Sequence, residues 1–434
     1  MAKKRTRIPL NVLLNGRMVG VLRRATSGAI DFQYDQQWLD WEHTFAISLS
    51  LPLREDRYIG DPVIAVFDNL LPDNDEIRKT IAARQHADGT DAYSLLTAIG
   101  RDCVGALQFV PADEDPGKAG DIDATPASAD QIAERLSNLA AAPLGIDADE
   151  DFRISIAGAQ EKTAYLYWNN NWHVPHGSTP TTHIFKPQIG MLGGRDLTQS
   201  VENEYMCMQI IQALGMPVAK TQISDFRDKR TLIVERFDRQ WTKDNRLLRL
   251  PQEDCCQALS VPPTRRYENQ GGPGILRLLD FLKGSDTPDE DRKHFLKAQI
   301  VFWLLAATDG HAKNFSVALY PGGGFKLTPL YDVLSAQHLL DNGQLRRNQM
   351  KLAMAIGDNR HYRLHDIMPR HFFQTAATAG MPIADVQVIF DELAADMPGA
   401  IDTVCNALPD GFPDPIRDSI VAGANQRLER IAAV

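Results

Sequence analysis

Asp309 and Asn314 stand five residues apart in A-T-D-G-H-A-K-N-F-S, residues 307–316, and Asp332 follows eighteen residues after Asn314 in L-T-P-L-Y-D-V. A carboxylate, an amide and a second carboxylate in that order supply what phosphoryl transfer to a hydroxyl requires. Asp309 can accept the hydroxyl proton, while the amide oxygen of Asn314 and the carboxylate of Asp332 can hold the magnesium that neutralises a triphosphate. An Asx-rich turn accounts for the same short motif, because Asp-Gly and Asn are ordinary loop residues. What distinguishes the two lies upstream.

Lys186 closes the strand-like run T-T-H-I-F-K-P. Its ammonium can reach the phosphates of ATP if a helix carboxylate holds it in place. The helix expected over about residues 198–214 offers Glu202 and Glu204. Glu204 shares an inward face with Met208 and Ile211, at spacings of four and seven, so Glu204 is the expected partner. A surface lysine at a strand end is the plainer alternative.

The segment I-A-G-A-Q-E-K, residues 156–162, has one glycine and is neither a Walker sequence nor a GxGxxG loop. Small residues at Ala157, Gly158 and Ala159 let backbone N–H groups approach phosphate oxygens, although an ordinary hairpin turn reads the same way. Ser155 precedes this loop. Phosphorylation of its hydroxyl would place negative charge where ATP binds, repelling the nucleotide or forcing the loop outward.

L-I-V-E-R-F-D, residues 232–238, predicts a strand between two lobes, with Glu235 and Phe237 beside an adenine ring. An amphipathic strand is the alternative. His311 can contact phosphate or hold its loop, and no second His lies at a metal-ligand spacing. Lys313 can neutralise transition-state charge. Asp238, Glu253 and Asp254 receive no catalytic role. The order is a working one: small-residue loop, strand lysine, helix glutamate, hinge strand, D-x-x-x-x-N, late aspartate.

These pieces need a large scaffold, and 434 residues suffice for two or three domains. Hydrophobic residues make up 44% and charged residues 24%, the mix of a soluble globular chain. With 56 acids against 46 bases, the net charge of −10 argues against a free-standing nucleic-acid binder. The five cysteines are scattered and form no CxxC, so they read as reduced thiols rather than as a disulfide framework or a zinc site. The basic start lacks the apolar run of a signal peptide, and the longest apolar run, 300–307, is too short for a bilayer. A cytoplasmic protein with no membrane partner is expected.

Residues 8–24 predict a hairpin turning at Asn15-Gly16. Strand text continues to about residue 53 through A-I-S-L-S-L-P-L, and helical text begins near Pro62, with Asp73 or Asn74 as a cap. The stretch 111–130, rich in Pro, Ala, Gly and acids, reads as a linker or exposed loop, with a helix after it to about residue 140. Residues 151–168 read as strand, turn and strand, and the text from about 270 is mostly helical. The expected class is α+β, a two-lobed protein-kinase-like fold. Its parts are a strand-rich N-terminal subdomain (1–110), an acidic Pro/Ala-rich linker and helix (111–149), a small kinase lobe (150–265) and a large helical C-terminal lobe (266–434).

Several motifs carry a resemblance: V-L-L-N-G-R-M-V-G, F-D-N-L-L-P-D and I-G-R-D-C-V-G-A-L at the front, D-F-R-I-S-I-A-G-A-Q-E-K-T-A, T-P-T-T-H-I-F-K-P, E-R-F-D-R and R-L-P-Q-E-D in the middle, then G-G-P-G-I, A-T-D-G-H-A-K-N-F-S and K-L-A-M-A-I-G. Over nearly the whole chain they resemble the HipA family of serine/threonine kinase toxins from bacterial toxin–antitoxin pairs. The resemblance implies ATP and magnesium as cofactors and assigns roles by position. Asp309 would be the base, Asn314 and Asp332 the magnesium ligands, and Lys186 the phosphate contact. Ala157, Gly158, Ala159, Gln160, Glu161 and Lys162 would form the phosphate loop. Glu235 and Phe237 would line the adenine site, with His311 and Tyr331 completing the pocket. Ser155 matches the family's autophosphorylated serine, whose modification ejects the loop and switches the kinase off. The implied partner is a HipB-like helix-turn-helix antitoxin that binds operator DNA and sequesters the toxin. The implied substrate is an aminoacyl-tRNA synthetase; in the family's best-known case it is glutamyl-tRNA synthetase, whose block leads to growth arrest and persistence. One departure stands out. Some members contact the operator through bases after P-R-H-F, where this chain has Ala377 and Gly380, so DNA is expected to be reached through the antitoxin. Two other readings stay open: a kinase for a small molecule or lipid, and a non-catalytic co-repressor. The intact Lys186, Asp309, Asn314 and Asp332 argue against the second.

Overall fold

Asn15 and Gly16 take φ of 47° and 79° and fold the strand Leu10–Leu14 back on Arg17–Arg24, the turn that Asn-Gly favours. This computed structural model describes residues 8–146, 153–158 and 160–433. The hairpin is the middle of a five-stranded antiparallel sheet ordered Tyr58–Ile59, Ile30–Tyr34, Arg17–Arg24, Leu10–Leu14, Leu107–Pro111. Phe67, from the helix Asp61–Asp68, packs edge-on against Phe32 and Phe109 at 5.6 and 5.4 Å. The helix Asp75–Arg84 is capped by Asn74, which leaves Asp73 free for another partner.

The alternating run at 46–53 is not a strand. Its apolar alternation does not match its burial, since Ser48 is as buried as Ile47 while Leu53 is exposed, and its polar groups bond elsewhere. Leu49 N donates to Glu253 Oε1 at 2.8 Å, Leu51 O accepts from the Tyr34 hydroxyl at 2.6 Å, and the Ser50 hydroxyl donates to Gln257 O at 2.8 Å. Backbone groups satisfied in this way need no neighbouring strand.

A six-stranded sheet follows, ordered Thr221–Phe226, Lys229–Glu235, His183–Pro187, Thr163–Trp168, Asn171–Pro175, Ala124–Pro126, with every neighbouring pair antiparallel. The last strand comes from the stretch expected to be a linker. Its proline is tolerated because the strand lies at an edge. The helix Ala129–Ser137 starts at a capping box of Ser128 and Gln131 and lays Ile132 and Leu136 on Tyr165, Phe185, Phe226 and Ile233. The part of this stretch from Ala124 to Ser137 therefore belongs physically to this sheet. Residues 153–158 form no strand, only isolated bridges, and Asp151 and Phe152 lie outside the described residues.

The helix Pro288–Leu305 is the spine of the helical half, with Phe295, Leu296, Ile300 and Trp303 fully buried. It ends at Ala306, whose left-handed φ of 54° turns the chain sharply outward toward Asp309. Past Asn314 the chain becomes the strand Ser316–Leu319, held between Gln252–Asp254 and Phe325–Leu327. Residues 309–314 are thus slung between a buried helix and a central strand, and Asp332 emerges just beyond the next strand. Among the described residues no helix is long and apolar enough to cross a membrane.

Candidate active site

Lys186 sits on the strand His183–Pro187, with its ammonium 2.7 Å from Glu204 Oε1 and 2.6 Å from Asp332 Oδ1. Glu204 comes from the buried face of the helix Ser200–Ala213, as its spacing with Met208 and Ile211 predicts. Burial works against the charge on Lys186, but Asp332 and Glu204 outweigh it and raise its pKa. Burial would likewise raise Asp332, yet Lys186 and Lys162 hold it at about 2. Burial pushes Glu204 upward against the pull of Lys186. Asp332 also adopts a left-handed φ of 62°, a conformation an aspartate tolerates at some cost and which its lysine contact helps to hold.

The second lysine of the cluster is Lys162, whose ammonium donates to Ala157 O at 2.8 Å. Burial first, then the neighbouring Lys186, pushes it down to about 8. Sequence position alone marked it only as the end of a loop.

Across the site, the segment 309–314 is fixed through its backbone. Asn314 Nδ2 donates to Asp309 O at 2.9 Å, and His311 N donates to the same oxygen at 2.7 Å. A Cβ on Gly310 would lie 2.5 Å from the Phe302 ring, so only glycine lets the segment approach the spine helix this closely. The Asp309 side chain is exposed and accepts a 2.5 Å hydrogen bond from the Tyr267 hydroxyl. Tyr267 was missed in the sequence because it lies in the aperiodic loop R-R-Y-E-N-Q-G-G. Its ring packs edge-on to His311 at 4.9 Å. Burial lowers the pKa of His311 and favours the neutral imidazole.

Lys313 does something other than expected. Its ammonium is buried against Asp73 Oδ1 at 2.7 Å and Asn69 O at 3.3 Å. The expected role in neutralising transition-state charge is therefore corrected: the side chain turns into the N-terminal region and anchors the segment there. The same region grips the small-residue loop that follows Ser155. Ser155 is fully buried, its N donates to Asp102 O at 2.9 Å, and its hydroxyl donates to Leu70 O at 2.8 Å. Asp73 N donates to Gly158 O at 3.1 Å. Leu70, Pro72 and Asp73, all from F-D-N-L-L-P-D, thus hold the loop on one side. Gln160 donates to Pro187 O at 3.2 Å, Glu161 is exposed, and Ala159 lies outside the described residues.

The HipA N-terminal domain family matches residues 10–110, and the HipA-like C-terminal domain family matches residues 154–401, more than half of the chain. The chain belongs to the HipA family. Among curated relatives, a Sinorhizobium fredii protein named "Putative kinase Y4mE" is 34% identical over 86% of this chain and 87% of its own length. The serine/threonine-protein kinase toxin HipA of Shewanella oneidensis is 28% identical over 81% of this chain and 79% of its own. A solved complex of the Shewanella oneidensis toxin–antitoxin system, containing HipA, HipB and operator DNA, matches with a TM-score of 0.81 and 25% identity, covering 98% of this chain and 97% of that one.

In this HipA-family site the residues present fit a magnesium nucleotide. The bond from Asn314 Nδ2 to Asp309 O commits the amide nitrogen and leaves the amide oxygen as the donor atom toward a metal. Asp332 spends Oδ1 on Lys186, and its side chain is ionised and 36% exposed. Among the described residues no group of three or more His, Cys, Asp or Glu forms a metal cage. Two oxygen donors are what magnesium takes from a protein when phosphate and water complete its shell. Room for phosphate is set by Gly158, whose φ is 107° and whose Cβ would lie 2.5 Å from the Lys162 ammonium. Among the described residues His311 Nδ1 is buried without a hydrogen-bond partner.

The hinge residues divide. Glu235 is half exposed and pairs with Lys220 at 3.3 Å. Phe237 faces Tyr331 with ring centroids 6.0 Å apart. The Tyr331 hydroxyl bonds Lys313 O at 2.8 Å and Ser316 Oγ at 2.6 Å, so this residue ties the Asp332 loop to the segment 309–314 as well as flanking Phe237. Arg236, Asp238 and Arg239 of the same hinge point the other way, into a buried network with Asp102 and Arg249.

Proposed function

We propose that this HipA-family kinase transfers the γ-phosphoryl group of magnesium-bound ATP to a serine or threonine hydroxyl of a protein, and acts as the toxin of a toxin–antitoxin pair. The observation that carries this is the double contact of Lys186 with Glu204 and Asp332, on a site whose carboxylate Asp309 stays exposed. Lys186, kept charged by its two acids, meets the phosphates. The backbone at Ala157 and Gly158 cradles them, with Lys162 behind. Asn314 and Asp332 hold the ion, which when bound neutralises the charge on the transferred group. Asp309 accepts the proton of the acceptor hydroxyl. Phe237, with Glu235 at the rim, flanks the adenine.

Ser155 supplies the off-switch. Its hydroxyl is buried against a carbonyl oxygen, so the loop must leave before Ser155 can be phosphorylated. A phosphate carrying about −2 charge cannot return to that dry contact. The partner is a HipB-like helix-turn-helix antitoxin, a proposal supported by the solved relative named with HipB and operator DNA. The helix Pro369–Thr378 exposes Arg370, Ala377 and Thr378. One base is a poor phosphate footprint, so operator DNA is reached through the antitoxin, which the pair represses jointly. The protein substrate is an aminoacyl-tRNA synthetase, with glutamyl-tRNA synthetase first to be tested.

Phosphoproteomics after induction, comparing the intact chain with Asp309→Asn, tests both levels. One synthetase site lost in the variant supports the target. Other sites lost instead would keep the kinase and discard the target, and identical phosphoproteomes would discard the kinase assignment. In vitro, Asp309→Asn should slow transfer roughly 100- to 10,000-fold, the range for loss of a general base.

A further inference from the structure

We propose that Tyr267 is the positioning residue of the acceptor end: its hydroxyl pins one oxygen of Asp309, so that the other faces the incoming hydroxyl. The proposal rests on Asp309 being the proton acceptor. Among the described residues the Tyr267 hydroxyl is the only hydrogen-bond partner of the Asp309 carboxylate, and it reaches Oδ1 alone, at 2.5 Å. Without it, an exposed aspartate on a short segment samples several rotamers. A misplacement of about 1 Å in a reacting group can cost about a hundredfold in rate.

Tyr267 is itself rigidly held. Its ring stands edge-on to His311 and lies 5.3 Å under the Arg266 guanidinium. Its carbonyl accepts from Gln270 N at 3.0 Å and Gly272 N at 2.9 Å. A Cβ on Gly272 would lie 2.1 Å from Arg265 O, so the loop closes without slack. The next residue, Glu268, accepts from Ala355 N at 2.6 Å and pairs with Arg360 at 3.1 Å, which ties the loop to the strand Lys351–Ile356. Burial, then the Asp309 charge, raises the phenol pKa, so Tyr267 remains a donor across the working pH range. The loop therefore delivers one fixed O–H to one oxygen of the base. An acceptor serine or threonine donates to the second oxygen without displacing it.

The test is Tyr267→Phe, which keeps the ring on His311 and removes only the hydroxyl. Label transferred from γ-labelled ATP to the chain itself and to added cell-lysate protein is measured against ATP concentration, and nucleotide affinity is measured separately. Asp309→Asn is run in parallel. The expected result is an apparent kcat about tenfold lower, with KM for ATP and nucleotide affinity within twofold of the parent. A Phe variant at the parental rate overturns the proposal. So does a faster one, which would mean that the phenol blocks the acceptor. A parallel loss of rate and nucleotide affinity also overturns it, since that marks a loop that merely folds the site. If Asp309→Asn transfers label at the parental rate, the underlying assignment of the base fails instead, whatever Tyr267→Phe does.

Discussion

Asp102 and Asp332 are both aspartates held ionised by basic side chains, yet their surroundings are finished in one case and unfinished in the other. Arg239, Arg249 and Arg236 reach Asp102 at 2.8, 3.0 and 3.4 Å, and Thr181 donates both its N–H and its hydroxyl. Burial would raise the Asp102 pKa, and the three guanidiniums overturn that and hold it well below the usual carboxylate range. Asp238 closes the network from the other side, on Arg236 at 2.8 Å and Arg239 at 3.0 Å. Among the described residues the Asp332 carboxylate has one ion pair, to Lys186, and more than a third of its side chain is open. Both carboxylates are strongly perturbed, so perturbation alone does not separate function from scaffolding. Solvent exposure does. The closed network locks the hinge residues and the N-terminal region together, and the open cluster keeps an ionised carboxylate partly in solvent.

The same substitution at the two aspartates gives the sharpest break. Asp332→Asn should lower phosphoryl transfer about 1,000-fold, or about 4 kcal/mol, by removing the proposed metal ligand and its charge. It should also erase the dependence of nucleotide affinity on magnesium while leaving stability nearly unchanged, because Lys186 keeps Glu204. Asp102→Asn should do the reverse. It leaves Arg236 and Arg239 with Asp238 alone and takes away the acid that Arg249 pairs with, a loss of about 3–5 kcal/mol in urea unfolding. Any activity that survives should show an ordinary KM for ATP. If both variants fold normally and both lose activity, the network around Asp102 belongs to the active site and the contrast collapses.

Much of the open cluster was legible in the sequence, because helix and strand periods fix faces over short distances. Glu204 follows from its register with Met208 and Ile211, and Lys186 from its place at a strand end. The unread parts depend on contacts between distant segments. Lys313 meets Asp73 across 240 positions, and Tyr267 meets Asp309 across 42, from a loop with no period. Asp102 and its arginines were quoted only as family motifs, since charge in a sequence does not reveal whether it is buried. At the fold level, Ala124–Pro126 hid as a strand inside linker-like composition, and 46–53 imitated a strand because an alternating sequence is not itself pairing.

A smaller effect tests whether the open cluster answers to pH. Lys162 is pushed down to about 8 by burial, then by Lys186. Below that pH it is charged and attracts triphosphate; above it, the ammonium becomes neutral and the attraction is lost. ATP affinity should therefore fall as pH rises from 7 to 9, by about tenfold, equivalent to about 1.4 kcal/mol. Binding near pH 8 should take up a proton, which calorimetry in two buffers of different ionisation enthalpy would record. Lys162→Met should bind more weakly at pH 7 and show no such slope. A flat profile in the parent would place the Lys162 ammonium outside the phosphate field.

The smallest effect belongs at the rim. Glu235 is 48% exposed and its 3.3 Å pair is with Lys220, itself mostly in solvent. Exposed pairs of this kind contribute about 0–1 kcal/mol. Glu235→Gln should accordingly leave stability within about 0.5 kcal/mol and ATP affinity within about threefold. Any contribution to the adenine site would then come from the hinge backbone and from Phe237, which the substitution leaves alone. Competition binding of ATP against GTP decides the point. If Glu235→Gln erases the preference for ATP, the carboxylate itself reads the base, and a residue that is open and weakly paired would rank with Asp332 rather than with the surface.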